Sequence, residues 1–175
     1  VSEVDILMVP GWMNSGPDHW QSRWETKLST ARRVAMPDFG RPVFEDWKDA
    51  LQDAIGDCQR PALLVGHSLG SLVIASLAPS AQSENVIGAW LAAPPDTNSL
   101  EVRAALEILG RELKDASLPE GFEPMNALLP FPALLIASRN DPYCSFERAA
   151  EFSRLWGAEL VDAGDAGHIN TASGY

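Results

Sequence analysis

Short apolar runs alternate along the chain with stretches of helical period, and that alternation predicts a βαβ succession. The runs lie at 6–9, 33–36, 62–65, 86–91, 133–136 and 159–161. Most are apolar throughout, as parallel strands covered on both faces must be. Between them Trp20, Trp24 and Leu28 share one helical face, while Phe44, Trp47, Leu51, Ala54 and Ile55 form a second stripe, and both are expected to pack on the sheet. The segment 69–77 is apolar nearly all round and reads as a central buried helix. Val102, Ala105, Leu106, Leu109 and Leu113 make another stripe, with Asn98 and Glu101 spaced as a capping box at its start. A last helix is expected over Phe146–Trp156.

Six runs and about five helical stretches predict an open, doubly wound, mainly parallel six-stranded α/β sheet with helices on both faces. The expected strand order is 2-1-3-4-5-6. The chain reads as a single domain over 1–175 with a small insertion at about 96–132. Within the insertion, 116–132 is rich in Pro and Gly and reads as a loop, so any lid over a site is small.

Composition narrows the functional classes. The formal net charge of -11 opposes a phosphate backbone and argues against nucleic acid as a partner. No apolar run approaches the roughly 20 residues that span a bilayer, and the start Val1-Ser2-Glu3-Val4-Asp5 lacks a basic leader region, so a soluble, cytoplasmic protein with no membrane partner is expected. Cys58 and Cys144 suit reduced thiols in a reducing compartment. The histidines His19, His67 and His168 stand in no metal-ligand spacing, and neither a metal nor a cofactor is expected.

The candidate chemistry centres on Gly66-His67-Ser68-Leu69-Gly70, a G-x-S-x-G pattern placed directly after an apolar strand and before a buried helix. Chance supplies the bare pattern in roughly one chain in twenty of this length, and the correct flanks make chance less likely again. The glycines permit a sharp strand-to-helix turn that holds the Ser68 hydroxyl out at the sheet edge. A serine needs a base to take its proton. His168, in a loop after the last expected strand, is the best placed; His19, after the first strand, either lines the pocket or caps the helix beginning near it. His67 faces away if Ser68 faces out, which favours a packed side chain.

The acid that orients the base is expected at Asp141, which closes the run at 133–136 and is followed by Pro142. Asp96 is the alternative, and Asp162 and Asp165 lie too close to His168 in sequence. Backbone N–H groups of Leu69 and of Trp12, after Gly11 in the first strand's loop, would form an oxyanion hole. Gly11, His19, Trp20 and His67 are candidate pocket-lining residues.

Taken together, Pro10-Gly11-Trp12, Gly16-Pro17-Asp18-His19-Trp20, the elbow at Ser68, Leu129-Pro130-Phe131-Pro132, Ser138-Arg139-Asn140-Asp141-Pro142 and Gly167-His168-Ile169-Asn170 resemble the small serine hydrolases typified by retinoblastoma-binding protein 9 and its bacterial relatives. The resemblance covers essentially the whole chain. It implies a minimal α/β-hydrolase core and a triad of Ser68, Asp141 and His168; the sequence departs from the pattern in stopping at Tyr175, seven residues past His168, where a further short helix is expected. The function expected is an esterase-like acyl hydrolase acting on small soluble esters through an acyl-enzyme. The rival is a hydrolase-fold protein that has lost useful catalysis and serves as a binding or scaffold protein. A dinucleotide enzyme is disfavoured, since no G-x-G-x-x-G follows the first strand.

Overall fold

A computed structural model describes residues 3–175. Its sheet contains β1 (Asp5–Val9), β2 (Ala31–Arg33), β3 (Ala62–His67), β4 (Val86–Ala92), β5 (Ala133–Ala137) and β6 (Glu159–Asp162). All pairings are parallel, in the order β2-β1-β3-β4-β5-β6. The connecting helices are α1 (Trp20–Lys27), α2 (Phe44–Gly56), α3 (Leu69–Ala75), α4 (Leu100–Glu112) and α5 (Phe146–Trp156).

Period-two alternation sends the strand side chains to two different cores. Leu7, Val9, Leu64, Leu91 and Leu135 face a large cluster roofed by α2, α3 and α5, where Trp47, Leu51, Phe152 and Trp156 are buried. Trp90, Leu134 and Ile136 face the opposite way, against Trp20 of α1 and Ala166 and Ile169 of the last loop. Helices therefore cover both faces. The edge strands carry the charges, Arg32 and Arg33 on β2 and Glu159 and Asp162 on β6, which suits strands with an unpaired side. No helix among the described residues is long and apolar enough to cross a membrane.

Three local expectations need correction. The second strand lies two residues before the apolar run at 33–36 and shares Arg33 with it: Ala31, Arg32 and Arg33 pair with Ile6, Leu7 and Met8, Val34 N still donates to Met8 O at 2.9 Å, and the Val34 and Met36 side chains are buried in the core. Their apolarity reflects burial rather than ladder pairing. Leu28 lies just past the end of α1 and is 40% exposed. The helix at 100 is capped by Ser99, whose Oγ accepts from Val102 N, and not by Asn98. Of the stripe on this helix only Val102 is buried and Ala105, Leu106, Leu109 and Leu113 are half-buried, while Leu100 and Ile108, outside the stripe, are exposed. α4 thus does not dock on the sheet as the other helices do.

One buried polar residue joins the strands at the point where chain order reverses. Gln21, fully buried in α1, donates from Nε2 to Val9 O (3.2 Å) and Val65 O (3.0 Å), the carbonyls near the ends of β1 and β3. Its Oε1 accepts from Ser15 Oγ at 2.7 Å. Gln21→Leu keeps the volume but strands these partners without a bond, each buried unpaired group costing about 1–3 kcal/mol. Urea unfolding is expected to show a loss on the order of 3 kcal/mol for this variant, against nearly none for the exposed Gln59→Leu.

Candidate active site

The turn from β3 into α3 carries Ser68 at φ 53° and ψ −123°, a strained conformation for a residue with a side chain. What enforces it is the approach of α3 to the end of β1. A Cβ on Gly70 would lie 2.1 Å from Val9 O and 2.6 Å from Pro10 O, so only glycine lets the first turn of α3 come this close. A Cβ on Gly11 would meet Ser68 Cβ at 2.9 Å, which seats the β1 loop directly against the serine. Leu69 N–H and Trp12 N–H flank the serine at the same end of the sheet, and neither donates a hydrogen bond among the described residues.

Ser68 Oγ lies 3.0 Å from His168 Nε2, and His168 Nδ1 lies 3.0 Å from each carboxylate oxygen of Asp141. An ionised carboxylate only accepts, so Nδ1 carries the proton and Nε2 is left bare toward the serine hydroxyl. Asp141, 3% exposed, also accepts from Tyr143 N at 2.9 Å. Asp96, the other candidate acid, is turned away: its Oδ2 lies 3.3 Å from Arg148 Nε on α5. Asp162 is paired with Arg139. The structure therefore brings together Ser68, Asp141 and His168 and leaves Asp96 outside.

The loop that carries His168 is tied on every side. Ala166 N donates to Ser138 Oγ (2.9 Å), Gly167 N to Asn140 Oδ1 (2.7 Å) and Trp20 Nε1 to Ile169 O (3.0 Å). His67 Nε2 lies 2.9 Å from His168 O and must be the donor, since a carbonyl only accepts. A short turn of helix, Thr171–Ser173, follows with Asn170 as its cap. These ties also explain why Trp20, expected in the pocket wall, is not part of it: its indole is spent beneath the loop, edge-on to Trp24 and His67.

The cleft above Ser68 has a volume of about 250 Å³, and Gly11, Trp12, His19, His67 and Leu69 line it. His19 fills both expected parts, lining the cleft and capping α1 through Nδ1, which accepts from Gln21 N. That bond puts the remaining proton on Nε2, which is buried with no protein partner. Burial first, then the Arg33 cation and the neighbouring His168, lower the His19 pKa to about 4. Burial likewise holds His67 well below the usual histidine value. Both imidazoles are neutral beside His168. Cys144, buried next to Asp141, is pushed up to about 12 by burial and then by Asp141, so it offers no thiolate. Among the described residues no group of three or more His, Cys, Asp or Glu side chains is gathered around a place for a metal ion.

The roof of the cleft could not be anticipated from the stripe on α4. Leu106 and Leu109 face the cleft, and the helix approaches so closely that a Cβ on Gly110 would lie 3.2 Å from the Trp12 ring. Gln21, which fixes the strand ends beneath the site, carried no pattern signal at all.

A family model described as serine hydrolase matches residues 6–175. The chain belongs to this serine hydrolase family. It is similar to a YdeN-like hydrolase from Pectobacterium atrosepticum, with 31% identity, 98% of this chain and 83% of that chain covered, and a TM-score of 0.77. The ydeN product of Bacillus subtilis shares the fold at 22% identity, with 99% and 91% covered and a TM-score of 0.67. A thermophilic esterase from Thermogutta terrifontis does so at 17% identity, with 96% and 84% covered and a TM-score of 0.65. No curated protein matches the chain. This serine hydrolase is accordingly a hydrolase with the α/β-hydrolase fold.

The lowered histidines make its stability depend on pH. His19 has a folded pKa near 4 against an unfolded value near 6.5, so the unfolded chain binds more protons between these limits. Stability is expected to fall as pH drops from 6.5 to 4, with His67 acting in the same direction. Asn is a good N-cap, so His19→Asn keeps the cap and removes one titration. Urea midpoints measured across this range should fall less steeply in the variant than in the parent.

Proposed function

We propose that this serine hydrolase, acting as a single domain over 1–175 in the cytoplasm, cleaves small carboxylic esters through an acyl-enzyme on Ser68. The observation that carries the reading is the continuous bonding from Asp141 through His168 to Ser68, with each link at 3.0 Å. In this mechanism His168 Nε2 takes the Ser68 proton as Oγ attacks the carbonyl carbon. Asp141 holds the tautomer and stabilises the imidazolium that forms. The oxyanion is received by Trp12 N–H and Leu69 N–H, each such donor contributing about 3 kcal/mol to the transition state.

Collapse of the tetrahedral intermediate expels the alcohol, whose oxygen takes the proton back from Nε2. Water then enters, gives a proton to His168 and its oxygen to the acyl carbon, and releases the acid and the free serine. No proton or electron is left over, so the cycle asks for no cofactor. The unpartnered N–H groups at Trp12 and Leu69 support this, since they sit against the serine with nothing else to bond.

The test is intact mass after treatment with a fluorophosphonate. The parent is expected to gain a single adduct, and Ser68→Ala and His168→Ala none. Asp141→Asn should label slowly and lose about a thousandfold or more in kcat by favouring the wrong histidine tautomer. An unlabelled, folded parent would move the reading to a binding protein built on this fold.

A further inference from the structure

The cleft carries no charge of its own. Among the described residues that line it there is no Asp, Glu, Lys or Arg, and the two histidines behind the base are held neutral by burial. A charged substrate group would leave water here without meeting a counter-charge, a penalty of several kcal/mol. For anions the net charge of -11 adds a repulsive field.

The direction in which an ester must lie follows from the proton transfer. The leaving oxygen has to sit at His168 Nε2, so the alcohol half runs along the loop that carries this histidine. That loop continues into Asn170 and Thr171, which line the cleft. Asn170 spends its Oδ1 on Ser173 N, but its amide nitrogen and the Thr171 hydroxyl bond nothing among the described residues. His19 adds a buried Nε2–H with no protein partner to the wall. The acyl half takes the side away from the leaving oxygen, where the apolar wall of the cleft, lined by Trp12, Leu106 and Leu109, can receive it, α4 resting on the Trp12 ring at Gly110.

We infer that the cleft is divided into an apolar acyl subsite under α4, made by Trp12, Leu106 and Leu109, and a polar but uncharged alcohol subsite along Asn170 and Thr171. The substrates it selects are compact, uncharged esters of short apolar acids with hydroxylated alcohols. This rests on the proposed role of Ser68 and adds to it a polarity that the role alone does not require.

Three esters and the parent enzyme test the division: glycerol monobutyrate, isoamyl butyrate as an apolar match in size, and glycerol monosuccinate, which ends its acyl half in a carboxylate. Glycerol monobutyrate is expected to exceed isoamyl butyrate in kcat/KM about tenfold, the worth of one or two hydrogen bonds. It should exceed the succinate about a hundredfold or more. Thr171→Val should narrow the ratio between the two butyrates, and Leu106→Trp should turn the preference from glycerol monobutyrate toward a fourth ester, glycerol monoacetate, measured on parent and variant alike. Isoamyl butyrate cleaved as well as its glycerol counterpart, succinate within tenfold of butyrate, or ratios unmoved by both variants would overturn the assignment. Ser68→Ala run in parallel separates the two readings. Turnover that survives in it refutes the role of Ser68, whereas a silent Ser68→Ala beside a labelled parent that cleaves none of the three refutes the subsites alone.

Discussion

The closeness of α3 to the end of β1 governs everything above the sheet. With no side chain at Gly70, the first turn of the helix rests on the carbonyls of Val9 and Pro10. The backbone at Ser68 is thereby held in its left-handed bend, and the hydroxyl has nowhere to point but out of the sheet. The same contact brings the loop after β1 against the serine, so two unbonded N–H groups arrive from different elements without a residue dedicated to placing either. A parallel sheet makes this available because β1 and β3 are neighbours at the reversal of strand order, where loops at the carboxyl ends diverge and leave a crevice. Gln21 closes the space beneath that crevice by bonding both strand ends at once.

Around this centre the polar groups are arranged so that each tautomer is dictated by a partner that can play only one part, the carboxylate and the carbonyl accepting and the backbone N–H donating. Asp141 sets His168, the His168 carbonyl sets His67, and the Gln21 amide sets His19. Three imidazoles stand in a row, with ring centres 4.7 Å and 5.0 Å apart, yet only the one beside a carboxylate has a partner for a positive charge. Burial keeps the other two neutral, so in the proposed mechanism a proton taken from Ser68 has one place to reside. The price is a row of depressed histidines that weakens the fold in acid.

Much of this was legible in the chain because the informative features are local. A buried parallel strand is an apolar run, and the Gly-x-Ser-x-Gly turn is five consecutive residues. Asp141 and His168 stand after β5 and β6, where an α/β site must gather its side chains. What was not legible depends on partners remote in sequence. Asp96 and Asp141 both follow strands, and the choice between them is made by Arg148, which claims Asp96 from α5. The run at 33–36 is apolar enough for a strand, but the ladder begins two residues earlier and is left after Val34, whose side chain and that of Met36 go to the core. Trp20 has the look of a pocket aromatic, and a hydrogen bond to Ile169 O draws it beneath the loop instead. Gln21 is a polar residue in a short helix until the two strand ends are known to converge on it.

The parts of the site differ in how firmly they are held, and this bears on what evolution can change. Ser68, Asp141 and His168 sit at strand ends or on a loop secured by four hydrogen bonds and packed through Ala166 and Ile169 on the smaller cluster. The roof is another matter. α4 contributes one buried side chain, Val102, and is steadied by the Trp12 ring against Gly110 and by Arg103 Nε donating to Thr97 O at 2.7 Å. A substitution on its inner face alters the shape of the cleft while leaving the strained elbow, the tautomers and the strand ends as they are. On the proposed reading chemistry and selectivity therefore lie on separate mechanical elements, and a family built on this plan can keep the first while the second drifts from member to member.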